Sequence, residues 1–433
     1  MLTPRDDQEI SPSIYDMIDQ VNKRMPDHPE LNQMFKNCFT NTLATTIQRK
    51  EDGTTFVITG DIPAMWLRDS AAQVRPYLVL ASEDEDIADM IAGLVERQLN
   101  YILLDPYANA FNETESGKGH QEDLTQMNDW IWERKYEIDS LAYPIQLSYL
   151  LWKNTGRTTQ FNDTFRKAAQ IIMQLWQVEQ HHETKSPYTF QRLDAPETDT
   201  LSREGRGTET AYTGMTWSGF RPSDDRCEYG YLIPSNMFAV VALRYLQEIA
   251  EVVFENETLA ATAQQLEEQI NKGIQDYGTV EHPEYGTIYA YETDGKGNHN
   301  LMDDANVPSL LSLPYLGYVE ENDEVYQNTR RFILSSHNPY FYEGTAAAGI
   351  GSPHTPEGYI WHIALSMQGL TTEDRNEKLR LLQLIHKTDA DTGLTHEGFS
   401  ANNPHEYTRP WFSWSNMLFS ELIMDYCGFR VQK

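Results

Sequence analysis

Cysteine is scarce: Cys38, Cys227 and Cys427 are the only three in 433 residues. They are too few and too scattered for a disulfide framework, and they lack the spacing of a zinc site. Cys227 lies near an acidic pair, but no neighbouring histidine would activate its thiol, so a cysteine nucleophile is not expected. Positive charge is also in short supply, with 34 Lys and Arg against 65 Asp and Glu and a formal net charge of −31. Such a field repels phosphate, which sets aside nucleic acid and anionic membrane surfaces as partners. A neutral substrate would be indifferent to it. No apolar run is long enough to cross a bilayer. The opening Met-Leu-Thr-Pro-Arg-Asp-Asp-Gln-Glu has no apolar segment of the kind a secretory signal needs. With reduced cysteines, that gives the expectation of a cytoplasmic protein. Familiar catalytic signatures are missing too. Gly205-Arg-Gly207 lacks the strand and helix that frame a phosphate-binding loop, and there is no serine nucleophile elbow. His354, His362, His396 and His405 do not fall into a ligand spacing such as His-Glu-x-x-His. No metal and no other cofactor is expected.

What the chain has in quantity is apolar periodicity of helical type. Helices are expected from Ser11 to Arg24 (Ile14, Met17, Ile18, Val21), Leu31 to Gln48, Ala71 to Leu80, Glu85 to Leu103, Asp139 to Thr155 and Thr159 to Gln177. Others are expected from Asn236 to Val253, Leu259 to Tyr277, up to Leu316, Ile360 to Gln368, Asp374 to Lys387 and Ser413 to Asp425. Short strands are expected at Thr54 to Thr59 and within Tyr285 to Glu292. The helices, about a dozen in all, read as pairs. Short returns lie on one side, and long polar, aromatic, Gly/Pro-rich loops on the other. Six helix hairpins closed into a ring would bury their apolar faces between an inner and an outer layer and gather the long loops at one end. The expected architecture is therefore all-α, an (α/α)6 barrel with a few short strands in the loops. A single catalytic domain over residues 1–433 would explain a length above that of most domains, and no linker or composition shift divides the chain.

The long loops carry the chemistry. Trp217-Ser-Gly-Phe-Arg221-Pro-Ser-Asp224-Asp225 places a forked cation and two adjacent carboxylates among aromatics, ahead of a helix. Asp61-Ile-Pro-Ala-Met-Trp66-Leu-Arg68-Asp69-Ser70 repeats the combination. A plainer reading exists for each: an Asp before a helix can cap it, and Arg68 can simply pair with Asp69. Two such constellations, each in front of a helix, make coincidence less comfortable. Aromatic faces stack on pyranose rings and charged groups bind hydroxyls. Acetal cleavage needs two carboxyl groups, one to protonate the leaving oxygen and one to activate water or attack carbon. The residues alone leave that pair open among Asp224, Asp225 and Glu397, with Asp69, Asp303 and Asp304 in reserve. Burial would raise the pKa of Glu397 and a nearby Arg would lower it. Asp303-Asp304 with Asn306 loosely resembles the Mg2+-binding helix of isoprenoid synthases, but no second acid cluster accompanies it. The stretch from Asn112 to Glu137, with Trp130 and Trp132, is too aromatic for an ordinary linker.

Five strings together resemble glycoside hydrolase family 125: Asp61 to Ser70, Trp217 to Asp225, Leu301-Met-Asp-Asp-Ala-Asn-Val-Pro308, Gly351-Ser-Pro-His-Thr355 and Thr408-Arg-Pro-Trp-Phe412. The likeness extends from near Phe35 to Asp425. It implies an (α/α)6 barrel and an exo-acting α-mannosidase that prefers α-1,6-linked mannose, inverts, and needs no metal. By motif it implies Asp224 as general acid and Glu397, of Thr395-His-Glu-Gly-Phe399, as general base. Gly398 stands where the family's usual form has Ser, and His362 is a second departure. The terminal mannose would enter a dead-end pocket where Arg68, Asp69, Asp304 and His354 bind hydroxyls, with Arg221, Asp225 and Arg409 alongside. Trp66, Trp217 and Trp411 would shape its walls. Inversion asks for carboxyls about 6.5–9.5 Å apart, and the acid needs its pKa raised by burial or by an anion such as Asp225. The expected partner is a mannose-containing oligosaccharide, such as an N-glycan fragment. Two other classes stay open: a glycan-binding barrel without catalysis, and an epimerase or lyase using His354 or His396. The first would be marked by loss of the acid or the base, and both positions are filled.

Overall fold

A helix that is apolar on every side has to be buried, whereas one with a single apolar stripe lies on the surface. Both kinds occur here, and they alternate. The computed structural model describes residues 10–433; Met1 to Glu9, on which the expectation of no secretory signal rests, lie outside the described residues. Twelve helices of eight or more residues are found among the described residues. They are α1 (Pro12–Arg24), α2 (Pro29–Thr45), α3 (Leu67–Val74), α4 (Glu85–Leu104), α5 (Ile138–Thr155), α6 (Asp163–Glu179), α7 (Ile233–Val252), α8 (Glu257–Tyr277), α9 (Glu324–Ile333), α10 (His362–Leu370), α11 (Arg375–Lys387) and α12 (Ser413–Tyr426).

In α5 every residue from Ile138 to Leu151 is buried, and in α12 every residue from Ser413 to Met424. The first halves of α3, α7 and α10 are buried in the same way. By contrast α8 buries only Leu259, Ala260, Ala263, Leu266, Ile270, Gly273 and Ile274, the three-and-four spacing of one stripe. The short helix Leu313–Leu316 packs on α7 and supplies the remaining inner position. From α2 onward the chain alternates outer and inner helices, and the ring closes where α12 packs against both α2 and α3. The fold is an all-α (α/α)6 barrel with short strands in its loops.

Some elements differ from their sequence expectation. The segment Ala71 to Leu80 starts earlier, at Leu67, and turns into a 3-10 helix over Arg75–Val79, since Pro76 removes a helical donor. The helix expected to run to Gln48 ends at Thr45, and Ile47–Arg49 pairs instead with Thr55–Val57. Helix α9 had no counterpart in the sequence reading. Its stripe is partly polar, with Thr329 and Arg330 buried beside Tyr326 and Phe332, and Arg330 satisfied by Thr371 Oγ1 at 2.7 Å.

Small sheets precede the inner helices. Met65–Trp66 leads into α3 and pairs with Ala110–Phe111, which pairs in turn with Ile131–Glu133. Tyr359–Trp361 leads into α10 and pairs with Gly398–Ser400. These ladders draw separate loops together above the inner helices. The first turns of α3, α5 and α12 meet there: Arg68 reaches Asp139 and lies 5.7 Å from the Trp414 ring. Helix N-termini carry partial positive charge, so this end of the barrel favours carboxylates. Among the described residues no helix is long and apolar enough to cross a membrane.

Candidate active site

Arg68 is the centre of one half of the mouth. It is buried, and its guanidinium is ringed by Asp69 at 3.2 Å, Glu137 at 2.6 Å, Asp139 at 3.2 Å and Asp224 at 3.3 Å. Of these four side chains, Asp224 is the one open to the mouth, 23 % exposed against 0 % for Glu137 and Asp139. Its loop makes it so. The Asp224 amide donates to the Arg221 carbonyl at 2.9 Å, and the Arg221 amide donates to the Asp225 carbonyl at 2.7 Å. This tight turn forces Asp224 to φ +68°, a left-handed conformation that Asp adopts more readily than most residues. Asp224 Oδ1 then accepts from Trp66 Nε1 at 3.3 Å, Arg68 Nη2 at 3.3 Å and Asn109 Nδ2 at 3.1 Å. Lys135 Nζ donates to the Asp224 carbonyl at 2.7 Å.

Burial disfavours the Asp224 carboxylate, but Arg68, a hydrogen bond with Glu137, Lys135 and His354 outweigh burial and hold its pKa below the usual carboxylate range. Glu137 moves the other way. Burial first, then the charges of Asp224 and Asp139, push it well above its ordinary value against the pull of Arg68. The two shifts run in opposite directions and share one cause, the crowding of carboxyls around Arg68. Burial, opposed by Arg68, also carries Asp139 up to about 6.

The neighbouring carboxylate points elsewhere. Asp225 is buried and bonds His354 Nδ1 at 3.1 Å and Ser223 Oγ at 3.1 Å. Burial opposes a charge on His354, yet the hydrogen bond it donates to Asp225 and the charges of Asp225, Glu397 and Asp224 carry it up to about 9. A histidinium therefore stands at the mouth near neutral pH.

Glu397 lies in the other half, after the buried His396. Thr408 Oγ1 donates to Glu397 Oε1 at 3.0 Å, and Arg409 Nη1 lies 3.6 Å from Oε2. Arg409 is itself held by Asp61, its Nε at 3.0 Å from Oδ1 and 3.2 Å from Oδ2. Behind Glu397 stands a layer of neutral imidazoles. His362 Nδ1 accepts from the His396 amide at 2.9 Å, and Nε2 meets Thr388 Oγ1 at 3.0 Å. Burial drives His362 down to about 3. The His396 ring stacks on Tyr407 at 4.0 Å, and its nitrogens are taken up by Thr392 Oγ1 and the carbonyls of Asp389 and Arg409. It is not free to act as a base. Asp69 joins the two halves: burial raises its pKa, and it feels Arg68 and Asp224 on one side and Arg409 and Glu397 on the other.

Not every residue named from the sequence faces the mouth. Trp217, read as a wall, is 1 % exposed. Its ring stacks on His182 at 3.6 Å and on Tyr136 at 6.1 Å, inside the protein. Arg221 is buried and spends its charge on Glu292, 2.6 Å away. Asp304 is fully buried between Asn306, whose amide and side chain donate at 2.9 and 2.8 Å, and Ser352 Oγ at 2.9 Å. Asp303 caps the chain before Leu313 by accepting from the amides of Leu310 and Leu311. Trp66 Nε1 donates to Asp224 Oδ1, and Trp411 is half-buried beside the Asp61 loop. Cys227 is buried, and burial pushes its thiol far above the reactive range.

Sequence reasoning passed over Asn109, Lys135, Glu137, Asp139 and Thr408. A usable signal existed for two of them. Glu137 and Asp139 open a helix that is apolar on all sides, so acids at its first turn must be buried and must have partners. Among the described residues no group of three or more His, Cys, Asp and Glu is arranged to hold a metal ion.

A family model described as metal-independent alpha-mannosidase (GH125) matches residues 28–424. A solved alpha-mannosidase from Streptococcus pneumoniae, in a non-productive complex with alpha-1,6-mannobiose, is 54 % identical to this chain. It covers 97 % of this chain and 99 % of its own, with a TM-score of 0.95. The meiotically up-regulated gene 157 protein of Schizosaccharomyces pombe is 41 % identical over 96 % of this chain and 86 % of its own. A bacterial glucoamylase complexed with acarbose shares the fold alone: 12 % identity and a TM-score of 0.63, over 92 % of this chain and 56 % of its own.

Proposed function

The chain belongs to glycoside hydrolase family 125, the metal-independent alpha-mannosidases, and from that premise we propose that it removes non-reducing terminal α-1,6-linked mannose with inversion, with Asp224 as general acid and Glu397 as general base. The observation that carries the assignment is the asymmetry of the two carboxyls. Asp224 opens to the mouth with the buried Glu137, whose pKa burial raises, at its back, while Glu397 lies across Asp69 from it, held by Thr408 and Arg409.

The terminal mannose enters between Trp66 and Trp411. Arg68, Asp69, His354 and Arg409 supply charged groups for its hydroxyls. Asp225 orients His354, and Arg221, Asp304 and Trp217 support the loops from behind. Asp224 gives a proton to the departing glycosidic oxygen while Glu397 takes one from a water on the opposite face. The carboxylates around the pocket favour the positive charge that builds on the anomeric carbon. The α-1,6 preference and the oligosaccharide partner, such as an N-glycan fragment, draw support from the ligand of the Streptococcus pneumoniae enzyme.

A proton NMR time course on α-1,6-mannobiose, beside the α-1,2 and α-1,3 isomers and with chelator present, tests the reading. Early β-mannose from the 1,6 isomer alone is the expected outcome. Early α-mannose would discard inversion, and no cleavage of any isomer would favour a glycan-binding barrel.

Two further parts of the reading concern the chain as a whole. Residues 1–433 act as one catalytic unit, supported by the packing of α12 on α2 and by the Arg24 guanidinium on the Cys427 carbonyl. The address is the cytoplasm, supported by three unpaired cysteines; activity recovered mainly from a secreted fraction would refute it.

A further inference from the structure

Asp224 has a task that its surroundings oppose. A general acid must carry a proton when the glycosidic oxygen departs, yet three donors converge on Asp224 Oδ1. Donors aimed at a carboxyl favour its ionised form. The proton has to be held by a neighbour. Glu137 is that neighbour by position: it is buried, Arg68 bridges it to Asp224, with Nη1 at 2.6 Å from Glu137 Oε2 and Nη2 at 3.3 Å from Asp224 Oδ1, and its carboxyl lies within reach of a proton shared with Asp224. Glu137 Oε2 accepts from Arg68 Nη1 at 2.6 Å and from Ser140 Oγ at 2.9 Å. Glu137 Oε1 is buried with no donor. A buried carboxyl oxygen that nothing donates to is what a protonated carboxyl presents, because its own O–H is the donor.

The charges around it agree. Facing Glu137 are Arg68 and Asp69 from α3, Asp139 from α5, Lys135 and Asp224 from the loops, and Glu133 and Asp199 through Lys135. His354 adds a charge from across the mouth. Four buried or half-buried carboxyls share one guanidinium, so full ionisation would leave uncompensated charge in a region with little water. Asp139 and Asp69 also have an oxygen without a donor, but both meet Asp224 only through charge, whereas the Glu137 carboxyl is the one of the three within reach of the Asp224 carboxyl.

We propose that Glu137 stores the proton that Asp224 delivers, acting as a positioning residue behind the general acid. The inference rests on Asp224 being that acid. Before the substrate binds, Glu137 O–H donates to the Asp224 carboxylate. With a mannoside in place, Glu137 passes its proton to Asp224 and Asp224 gives a proton to the leaving oxygen. The bond between that oxygen and the anomeric carbon breaks, and its electron pair stays on oxygen. The attacking water bonds to the anomeric carbon and loses a proton to Glu397. The Glu137–Asp224 pair is then one proton short and Glu397 one proton over. Exchange with solvent through the open mouth restores both, so the cycle needs only water.

The test compares kcat and its pH profile on α-1,6-mannobiose and on dinitrophenyl α-mannoside, whose leaving group needs no proton. The enzymes are the wild type, Asp224→Asn, Glu137→Gln and Glu137→Asp. Glu137→Gln keeps a donor toward Asp224 but has no proton to give. It should lose roughly 10²-fold on the disaccharide and stay within about threefold on the aryl substrate, with its alkaline limb moved to lower pH. Glu137→Asp should recover part of the disaccharide activity. Equal losses on both substrates, or an unmoved alkaline limb, would overturn the proposal. Should Glu137→Gln fail to fold, Glu137→Asp decides alone: an alkaline limb identical to the wild type refutes the role. If Asp224→Asn itself retains disaccharide turnover, the fault lies in the assignment of the acid instead.

Discussion

The two halves of the barrel mouth hold their carboxylates in opposite ways. Around Asp224 the scaffold is ionic: one buried guanidinium divides itself among four carboxyls, and protons are shared because charge is crowded. Around Glu397 the scaffold is neutral. Backbone amides, Thr408 and two buried, uncharged imidazoles fix its loop, and the nearest cation, Arg409, stands at the rim, where Asp61 shares it. An acid needs a reservoir of protons and a base needs a fixed acceptor, so the contrast follows the two tasks. It also means that the halves should fail differently.

Removing the cation from each side is the strongest way to break the comparison. Arg68→Met leaves Glu137, Asp139 and Asp69 buried without their cation. The expected loss is about 3–5 kcal/mol of stability, the usual effect of stripping one member from a buried ion pair. Arg409→Met breaks pairs that are 19 % exposed on the arginine side and 36 % on the Asp61 side. Solvent screens the Asp61 pair and the pair to the buried Glu397 is long, 3.6 Å, so about 1 kcal/mol is expected, while turnover still falls because Glu397 loses its neighbour. Urea denaturation of both variants checks this; equal destabilisation would erase the distinction between an ionic and a neutral half.

The pH dependence of stability sharpens it with smaller effects. His362 is depressed from 6.5 to about 3 by burial. The unfolded chain therefore takes up a proton that the folded chain refuses. The stability from His362 is present in full above pH 6.5 and is lost as pH falls from there toward about 3. His354 is raised from 6.5 to about 9. Its contribution is complete below pH 6.5 and is lost as pH rises toward about 9. His354 is about one-third exposed (35 %), so screening makes the alkaline loss the weaker of the two. Thermal melts across pH should show His362→Gln flattening the acid side and His354→Gln flattening the alkaline side. A variant that flattened both would contradict the separation.

The barrel was legible because its evidence is periodic. Outer stripes such as that of α8 and the helices α5, α7 and α12, whose apolar residues are spread over every side, announce two layers, and the loops between them stand out by composition. Helix α9 escaped because Thr329 and Arg330 occupy part of its inward stripe. The site was legible at the level of loops and less so at the level of side chains. An aromatic beside polar residues in sequence does not show which way its ring turns. Trp217 turns inward because Gly230 leaves room: a Cβ there would come within 2.1 Å of the indole. Asp304 looked free to bind a hydroxyl, yet Asn306 and Ser352, each visible in its own motif, meet on it only once two distant loops pack. Glu137 was legible as a buried acid but not in its partners, since these are Arg68 from α3 and Asp224 from a distant loop.

Gly398 offers the finest test of the neutral half, because it sits directly beside Glu397 where serine is the more usual residue of the resemblance. Its φ is not left-handed, so the backbone accepts a side chain. The space is tighter: an added Cβ would lie 3.2 Å from Thr355 Oγ1 and 3.3 Å from both Thr355 Cγ2 and Trp361 Nε1. Those groups are bonded to each other at 2.8 Å, and fitting a side chain means moving that pair by a few tenths of an ångström. Gly398→Ser should therefore cost about 1 kcal/mol, at the low end for overfilling a packed site. Turnover should change by less than about threefold, because Thr408 and not residue 398 holds the carboxylate. Melting temperature and kcat on α-1,6-mannobiose measure the two effects. A tenfold change in kcat with unchanged stability would mean that the hydroxyl reaches Glu397, and that the neutral half is tuned by one hydrogen bond rather than by its shape.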